Sequence, residues 1–275
     1  DIKGTYFIHL MKHFAGASEF DPMLDSFIVA TRYKNKTGEI FLNYMHDRHH
    51  VDTETYMNDW LYSENLPAFL FHQVDAFTYY DNDRLRYQAE VTITNTGKSL
   101  GLVKMNMRVG RRRNSSYTEE QTIILDPGQS KRVGITVGEE PSMMIANTLV
   151  SSNMPAILTF PLRDIEDKEK ERGGAFIRQV QTPSMQEEII IVDNEDSSFR
   201  TIAPEEATKL RDLIQKKRSQ EEYSGLNFWR PPEEWQKAIH GDFYGEVKLS
   251  ASYMRSGEGD YQAVWMVPLE GPGYY

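Results

Sequence analysis

The sequence predicts an α+β chain in several parts: an N-terminal helical subdomain, an immunoglobulin-like β-sandwich, and an aromatic-rich β tail preceded by one helix. Three observations carry that expectation. Apolar residues recur at helical spacing as far as Pro67. The period then falls to two, most cleanly in "RLRYQAEVTITN", where Leu85, Tyr87, Ala89, Val91 and Ile93 alternate with polar partners. Over residues 163–174 a mixed-charge run, "RDIEDKEKERGG", sets this part off from a tail rich in turns and aromatic rings.

Residues 1–66 are expected to be helical. "KGTYFIHLMKHFAG" ends at Gly16, a C-cap residue, and "DPMLDSFIVATRYKN" opens with Asp21 as N-cap and Pro22 at the first helical position. "TGEIFLNYMHDRH" follows. "DTETYMNDWLYSEN" gathers Tyr56, Met57, Trp60 and Leu61 on one apolar face before Pro67 ends the helical part, so Tyr56 and Trp60 are its expected anchors. Residues 67–163 supply the sandwich. "GLVKMNMRVG" alternates like the strand before it, and "QTIILDPGQSKRVGITV" is two strands about an Asp126-Pro127-Gly128 turn. Short strands at this spacing suit an immunoglobulin-like sandwich of about seven strands in about 100 residues. Residues 164–185 are expected as a solvated linker. Beyond it "EEIIIVDN" is a short apolar strand. "APEEATKLRDLIQKKRSQEEY" is a helix with Glu205 and Glu206 in its first turn and Lys216, Lys217 and Arg218 toward its end, which matches the helix dipole.

Composition narrows the function classes. A net charge of −10 leaves no excess of cations to displace phosphate counterions, so nucleic acid is not an expected partner. Arg111-Arg112-Arg113 is a short basic run in a turn-like stretch. Without cysteine there is neither a disulfide framework nor a thiolate metal site. No apolar run reaches the ~18–20 residues of a membrane span, and no charged and apolar leader marks a signal peptide. The chain opens inside an expected helix and stops where a strand begins, as an excised piece of a longer protein would.

Two histidine groups invite a metal reading. His9 and His13 share one helical face, the spacing by which H-E-x-x-H peptidases present two imidazoles to zinc. Leu10 stands where the general-base glutamate belongs, and Phe7, Leu10, Met11 and Phe14 form the opposite face, so an amphipathic helix with two solvated histidines also explains the stretch. "YMHDRHHVD" is the densest titratable cluster. His46 and His50 lie one turn apart, His49 stands beside them, and Asp47 could orient one ring. A zinc site needs three or four converging ligands, however, and a histidine near a helix C-terminus is stabilised by the dipole alone. His46, His49 and His50 are therefore weak metal candidates, and no catalytic residue is assigned.

The tail aromatics are the other candidates, since aromatic faces stack on sugar rings but also fill cores. In "DYQAVWMVP" Trp265 shares a face with Tyr261, Ala263 and Val267; neither face is polar, so Trp265 is expected in the core. "NFWRPPEEW" is a loop with two prolines that carries Trp229 and Trp235 among charges. These two are the expected ligand-binding residues.

"KGTYFIHLMKHFAGASEF" and "DTETYMNDWLYSENLPAF" resemble the helical end of the catalytic domain in thermolysin-like zinc aminopeptidases. Lys3-Gly4 stands where that family opens a helix. Gly16-Ala17-Ser18-Glu19-Phe20 stands at its Gly-(Asp/Glu)-x-x-Phe segment, and Trp60-Leu61-Tyr62 with Pro67 at its aromatic-aromatic-x-x-Trp end. The β part through "NTLVSSNMPAILTFP" is similar to the sandwich that follows this domain in aminopeptidase-like regions fused to bacterial transporter permeases. Two departures matter: the family's zinc motif and distal glutamate are not in this chain, and Asp1 occupies the place of its transition-state tyrosine. "IIIVDNEDSSF" and the stretch from "NFWRPPEEW" to the end resemble golvesin-like domains, β modules of bacterial surface and secreted proteins. That resemblance implies, over 186–275, a partial β-sandwich module with an inserted helix at 203–222.

Together the resemblances imply a non-catalytic C-terminal portion of a bacterial aminopeptidase-like protein of the cell envelope or periplasm, with a bracing role. Its partner is then the upstream part of its own parent chain, and zinc is a cofactor of that parent only. The competing expectation is a module in the tail that binds glycan or cell surface, and a peptide or glycan is the ligand class considered. A hydrolase built on His46, His49 and His50 is the third.

Overall fold

The computed structural model describes residues 8, 10–13, 15–34, 37–49, 63–110, 115–163, 165–167, 173–181, 192–203, 223–243, 245–257 and 259–267. The chain divides into two compact units, Asp1–Thr182 and Pro183–Tyr275. It is a β-rich, multi-sheet protein with few helices.

In the first unit residues 8, 10–13 and 15 are helical, and α1 (Ala17–Ala30) and α2 (Gly38–His49) follow. Phe20, Met23 and Phe27 are buried at helical spacing along α1, with Leu24 half-buried beside them. The start of α1 differs from the expected one. It begins at Ala17, after Gly16 at φ +85°, and Pro22 lies inside the helix. The reason is the apolar stripe, which begins at Phe20 and draws the first turn upstream of Asp21. Pro22 and Ser18 are both exposed, so water can serve the Ser18 carbonyl that the missing Pro22 N–H leaves unpaired. Thr37 caps α2, its hydroxyl accepting from the Ile40 N–H at 3.3 Å. The buried side chains of this part, Leu10, Met11, Phe20, Met23, Leu42 and Met45, join Leu100 and Leu102 of the β part in one core cluster. Tyr56 and Trp60, the expected anchors, lie outside the described residues.

The strands of this unit are β1 (Phe69–Asp81), β2 (Arg84–Asn95), β3 (Gly101–Val109), β4 (Ser116–Tyr117), β5 (Gln121–Leu125), β6 (Ser130–Val137), β7 (Pro141–Asn147), β8 (Ile157–Pro161), β9 (Glu166–Asp167) and β10 (Phe176–Val180). One sheet runs β10-β6-β2-β1-β9; the other runs β4-β3-β7-β8, with β5 also paired to β3. Ala89, Val91 and Ile93 of β2 are fully buried, but their polar partners Gln88, Glu90, Thr92 and Thr94 are buried as well and Leu85 is exposed. The strand is thus covered on both faces from Gln88 onward and not half-buried as its alternation suggests. The sheets meet where the Phe71 and Phe160 rings stand 5.3 Å apart and where the Phe69 ring fills the space above Gly101. The Asp126-Pro127-Gly128 turn forms as expected, with Gly128 at φ +74° and the Gln129 N–H on the Asp126 carbonyl at 3.0 Å.

Residues 164–185, expected as a linker, supply β9 and β10 instead. Strand β10 adds antiparallel to β6 with Phe176 opposite Gly134, and the Phe176 ring takes the space that a Cβ at Gly134 would need. A glycine in the middle of one strand thus makes the slot that holds the next.

Buried side-chain amides hold the ends of β1 and β2. Asn95, fully buried, accepts from the N–H groups of Ala68 (3.3 Å) and Gly97 (3.0 Å) and donates to the carbonyls of Ser99 (2.9 Å) and Leu125 (3.0 Å). Asn153 does the same for one residue, accepting from the Phe69 N–H and donating to the Phe69 carbonyl, both at 2.8 Å. Asn95→Ala should cost about 2–4 kcal/mol, because each buried polar group left unpaired costs about 1–3 kcal/mol. Urea unfolding followed by circular dichroism measures this, and a loss below about 1 kcal/mol would mean that water replaces the amide.

The second unit contains β11 (Phe199–Ile202), β12 (Ser224–Gly225), β13 (Gln236–Ile239), β14 (Ser250–Tyr253) and β15 (Gln262–Trp265). Strands β11 and β15 pair antiparallel with Phe199 opposite Trp265, while β13 lies between β12 and β14. The helix expected at 203–222 falls, except for Ala203, outside the described residues.

Candidate functional site

Among the histidines, His46 stands on an exposed face of α2 with its Nδ1 3.3 Å from Asp47 Oδ1, so Asp47 orients it as expected. His49 is the last residue of α2, and His9 and His50 lie outside the described residues. Burial and then the nearby Lys131 charge hold the His13 imidazole below the usual histidine pKa. Among the described residues no three His, Asp or Glu side chains gather as a metal ion would require.

The second unit holds a carboxylate hub that no sequence signal marked. Glu195 Oε1 accepts from Ser250 Oγ (2.5 Å) and lies 3.3 Å from Lys237 Nζ. Its Oε2 accepts from the Tyr223 hydroxyl (2.6 Å) and lies 3.4 Å from Lys248 Nζ, which also donates to the Tyr223 oxygen at 2.7 Å. Burial pushes the Glu195 pKa up, but the Ser250 and Tyr223 hydrogen bonds and the Lys237 charge outweigh it and leave it below the usual glutamate value. Lys248 is held above the usual lysine value, first by its bond to Tyr223. Tyr223 is raised by burial and by Glu195. At neutral pH the group is thus a carboxylate, a neutral phenol and two ammonium groups. Both carboxylate oxygens are engaged, so the hub is suited to holding structure and not to accepting a substrate proton.

Beside the hub lie two clefts. One, of 290 Å³, is lined by Asp193, Asn194, Phe199, Trp235, Ser252 and Trp265 among others. The other, of 230 Å³, shares Asn194, Phe199, Trp235 and Ser252 and adds Glu195, Asp196, Arg200, Gln236 and Lys237. Burial, only partly offset by the backbone N–H groups of Asn194 and Glu195, holds the Asp193 carboxyl above the usual aspartate pKa.

The structure separates the two expected ligand-binding tryptophans. Trp235 lines both clefts, and its buried indole N–H meets no acceptor among the described residues. Trp229 sits on a loop and is 96% exposed, its backbone N–H on Asn227 Oδ1 at 3.2 Å. Trp265, expected in the core, is 54% exposed. Its strand pairs with β11 alone among the described residues, so the second layer that would have covered it is not formed by them, and its ring leans on Phe199 at a centroid distance of 5.1 Å. The hub itself joins Glu195 to residues 28 to 55 positions away, a separation that leaves no local spacing to read.

No protein-family model matches the chain, and no curated protein matches it. Among solved structures, a β-glucosidase from Erythrobacter marinus aligns at 15% identity and a TM-score of 0.25, covering 35% of this chain and 15% of that one. A β-glucosidase of saponin metabolism from intestinal bacteria aligns at 15% identity and 0.23, covering 35% and 16%. A β-glucosidase from Listeria innocua in complex with isofagomine aligns at 12% identity and 0.24, covering 38% and 16%. The chain spans well under a fifth of the length of these enzymes, and a likeness of this extent carries no argument about fold or activity.

Proposed function

We propose that the chain is the non-catalytic C-terminal portion of a bacterial aminopeptidase-like envelope protein and that its first unit braces helices of the peptidase type. The supporting observation is the shared core: Leu10, Met11, Phe20, Met23, Leu42 and Met45 pack with Leu102 of β3 and with Leu100 just before it. Helices cemented to sheets in this way are held by them, which is what a wall of a neighbouring cleft needs. On this reading the two sheets of the first unit are the immunoglobulin-like sandwich. The second unit is a partial golvesin-like module with the inserted helix at 203–222, and any zinc belongs to the parent upstream.

Hydrogen exchange on the full-length parent tests the bracing role. Leu102→Ala, at a site 2% exposed, removes packing worth about 2–5 kcal/mol. It should speed amide exchange in α1, in α2 and in the segment upstream of Asp1. Unchanged exchange upstream would overturn the bracing role.

A second reading, a glycan or cell-surface binding module at 186–275, is favoured by the loop at Phe228 and Trp229, which are 76% and 96% exposed. The loop is held at its base, since Asn227 Oδ1 also accepts from the Arg230 N–H at 3.0 Å and the Pro232 carbonyl accepts from the Arg255 N–H at 2.6 Å. Exposed aromatic rings on a loop whose backbone is held suit stacking on a ligand.

A further inference from the structure

We propose that the second unit binds a neutral saccharide in its paired clefts, with Trp265 as the stacking platform and Gln236 and Ser252 as hydrogen-bonding partners. The inference rests on the binding reading of this unit and moves the ligand from the Trp229 loop to the clefts.

Three features of the clefts carry it. The first is the platform. More than half of the Trp265 surface is open to solvent while Phe199 supports the ring from the neighbouring strand, so the indole is braced and available at once. The second is the wall chemistry. The Gln236 amide and the Ser252 hydroxyl on these walls offer donors and acceptors, as the hydroxyls of a sugar require, while the Asn194 amide is already bonded to Ser250. Few polar groups converging on an aromatic surface is also the general pattern of small-molecule sites. The third is the shared wall, where the Trp235 indole N–H has no acceptor among the described residues. That donor is closed off from solvent, so it reaches a ligand hydroxyl only if the ring turns, and indole fluorescence then reports occupancy.

Charge selects the ligand class. Carboxyls at Asp193, Glu195 and Asp196 outnumber the cations Arg200 and Lys237 on these walls, and the Glu195 charge is already matched within the hub. An acidic glycan would meet Asp193 and Asp196, whereas a neutral one meets no like charge.

A glycan array carrying neutral and acidic oligosaccharides, probed with the 275-residue chain, is the first test. Calorimetric titration with the strongest neutral oligosaccharide then compares the parent chain with Trp265→Ala, Ser252→Tyr and Trp229→Ala. Trp265→Ala and Ser252→Tyr, the latter filling the shared wall, should each weaken binding at least about tenfold, and Trp229→Ala less than about twofold. Addition of the oligosaccharide should change the indole emission of the parent chain. Circular dichroism confirms that each variant is folded, and the two cleft variants test the site independently. Binding that survives both cleft changes and is lost in Trp229→Ala overturns the cleft and keeps the loop. Retention of acidic glycans alone overturns the ligand class. No binding to any glycan overturns both this inference and the binding reading beneath it.

Discussion

Glu195→Ala should destabilise the second unit by about 1–3 kcal/mol, the usual cost of leaving hydrogen-bonded polar groups without their partner. The side chain is 16% exposed and holds Ser250, Tyr223, Lys237 and Lys248 at once. Its removal leaves two ammonium groups facing each other across a phenol. Three of the four tryptophans lie in this unit, so guanidinium unfolding followed by indole fluorescence reads the loss directly. The effect carries a pH signature. The folded pKa of Glu195 is depressed, so its contribution is fully present above the ordinary value of 4.5 and is lost as pH falls through the folded value. Asp193 works the other way: its raised pKa costs stability at neutral pH, and that cost is relieved on acidification. The gap between Glu195→Ala and the parent chain should therefore narrow below pH 4.5. A gap that stays constant down to pH 3 would show that packing, not charge, accounts for the loss.

Phe69→Ala should cost the first unit about 3–5 kcal/mol. The ring is fully buried and occupies the volume above Gly101, so its loss opens a cavity between the two sheets that the backbone cannot readily fill. The converse change is equally informative. A Cβ at Gly101 would collide with the Phe69 ring and with Pro67, so Gly101→Val overfills the same space. The double variant Phe69→Ala with Gly101→Val should recover part of the loss, because one change supplies volume that the other removes. Urea midpoints for the two single variants and the double one measure the coupling. Strict additivity would show that the two sites do not share a cavity.

Much of the first unit was legible because its signals are local. The Asp126-Pro127-Gly128 turn and the span of α2 each depend on residues within a few positions of one another. The early start of α1 was not, since Asp21 and Pro22 are good local caps and only the burial of Phe20 against a distant core overrides them. Strand β10 was hidden by its charged surroundings. What recruits it is the missing side chain at Gly134, more than forty positions earlier. The candidate site was legible in part. Loop chemistry pointed to Trp229 and Trp235; the structure leaves the first exposed and sets the second in the wall of both clefts. Trp265 was misjudged because an apolar strand implies a covering layer only when a second sheet stands over it. The Glu195 hub is built wholly from tertiary contacts.

The Asn153 amide meets the N–H and the carbonyl of Phe69 together, as a neighbouring strand would. One side chain thus impersonates one residue of backbone. The rim of β1 at that point offers nothing to an incoming chain, because its donor and its acceptor are already spoken for. A protein made largely of sheets must keep foreign strands from annealing to its borders. Here a single carboxamide closes the start of β1 without lengthening the sheet.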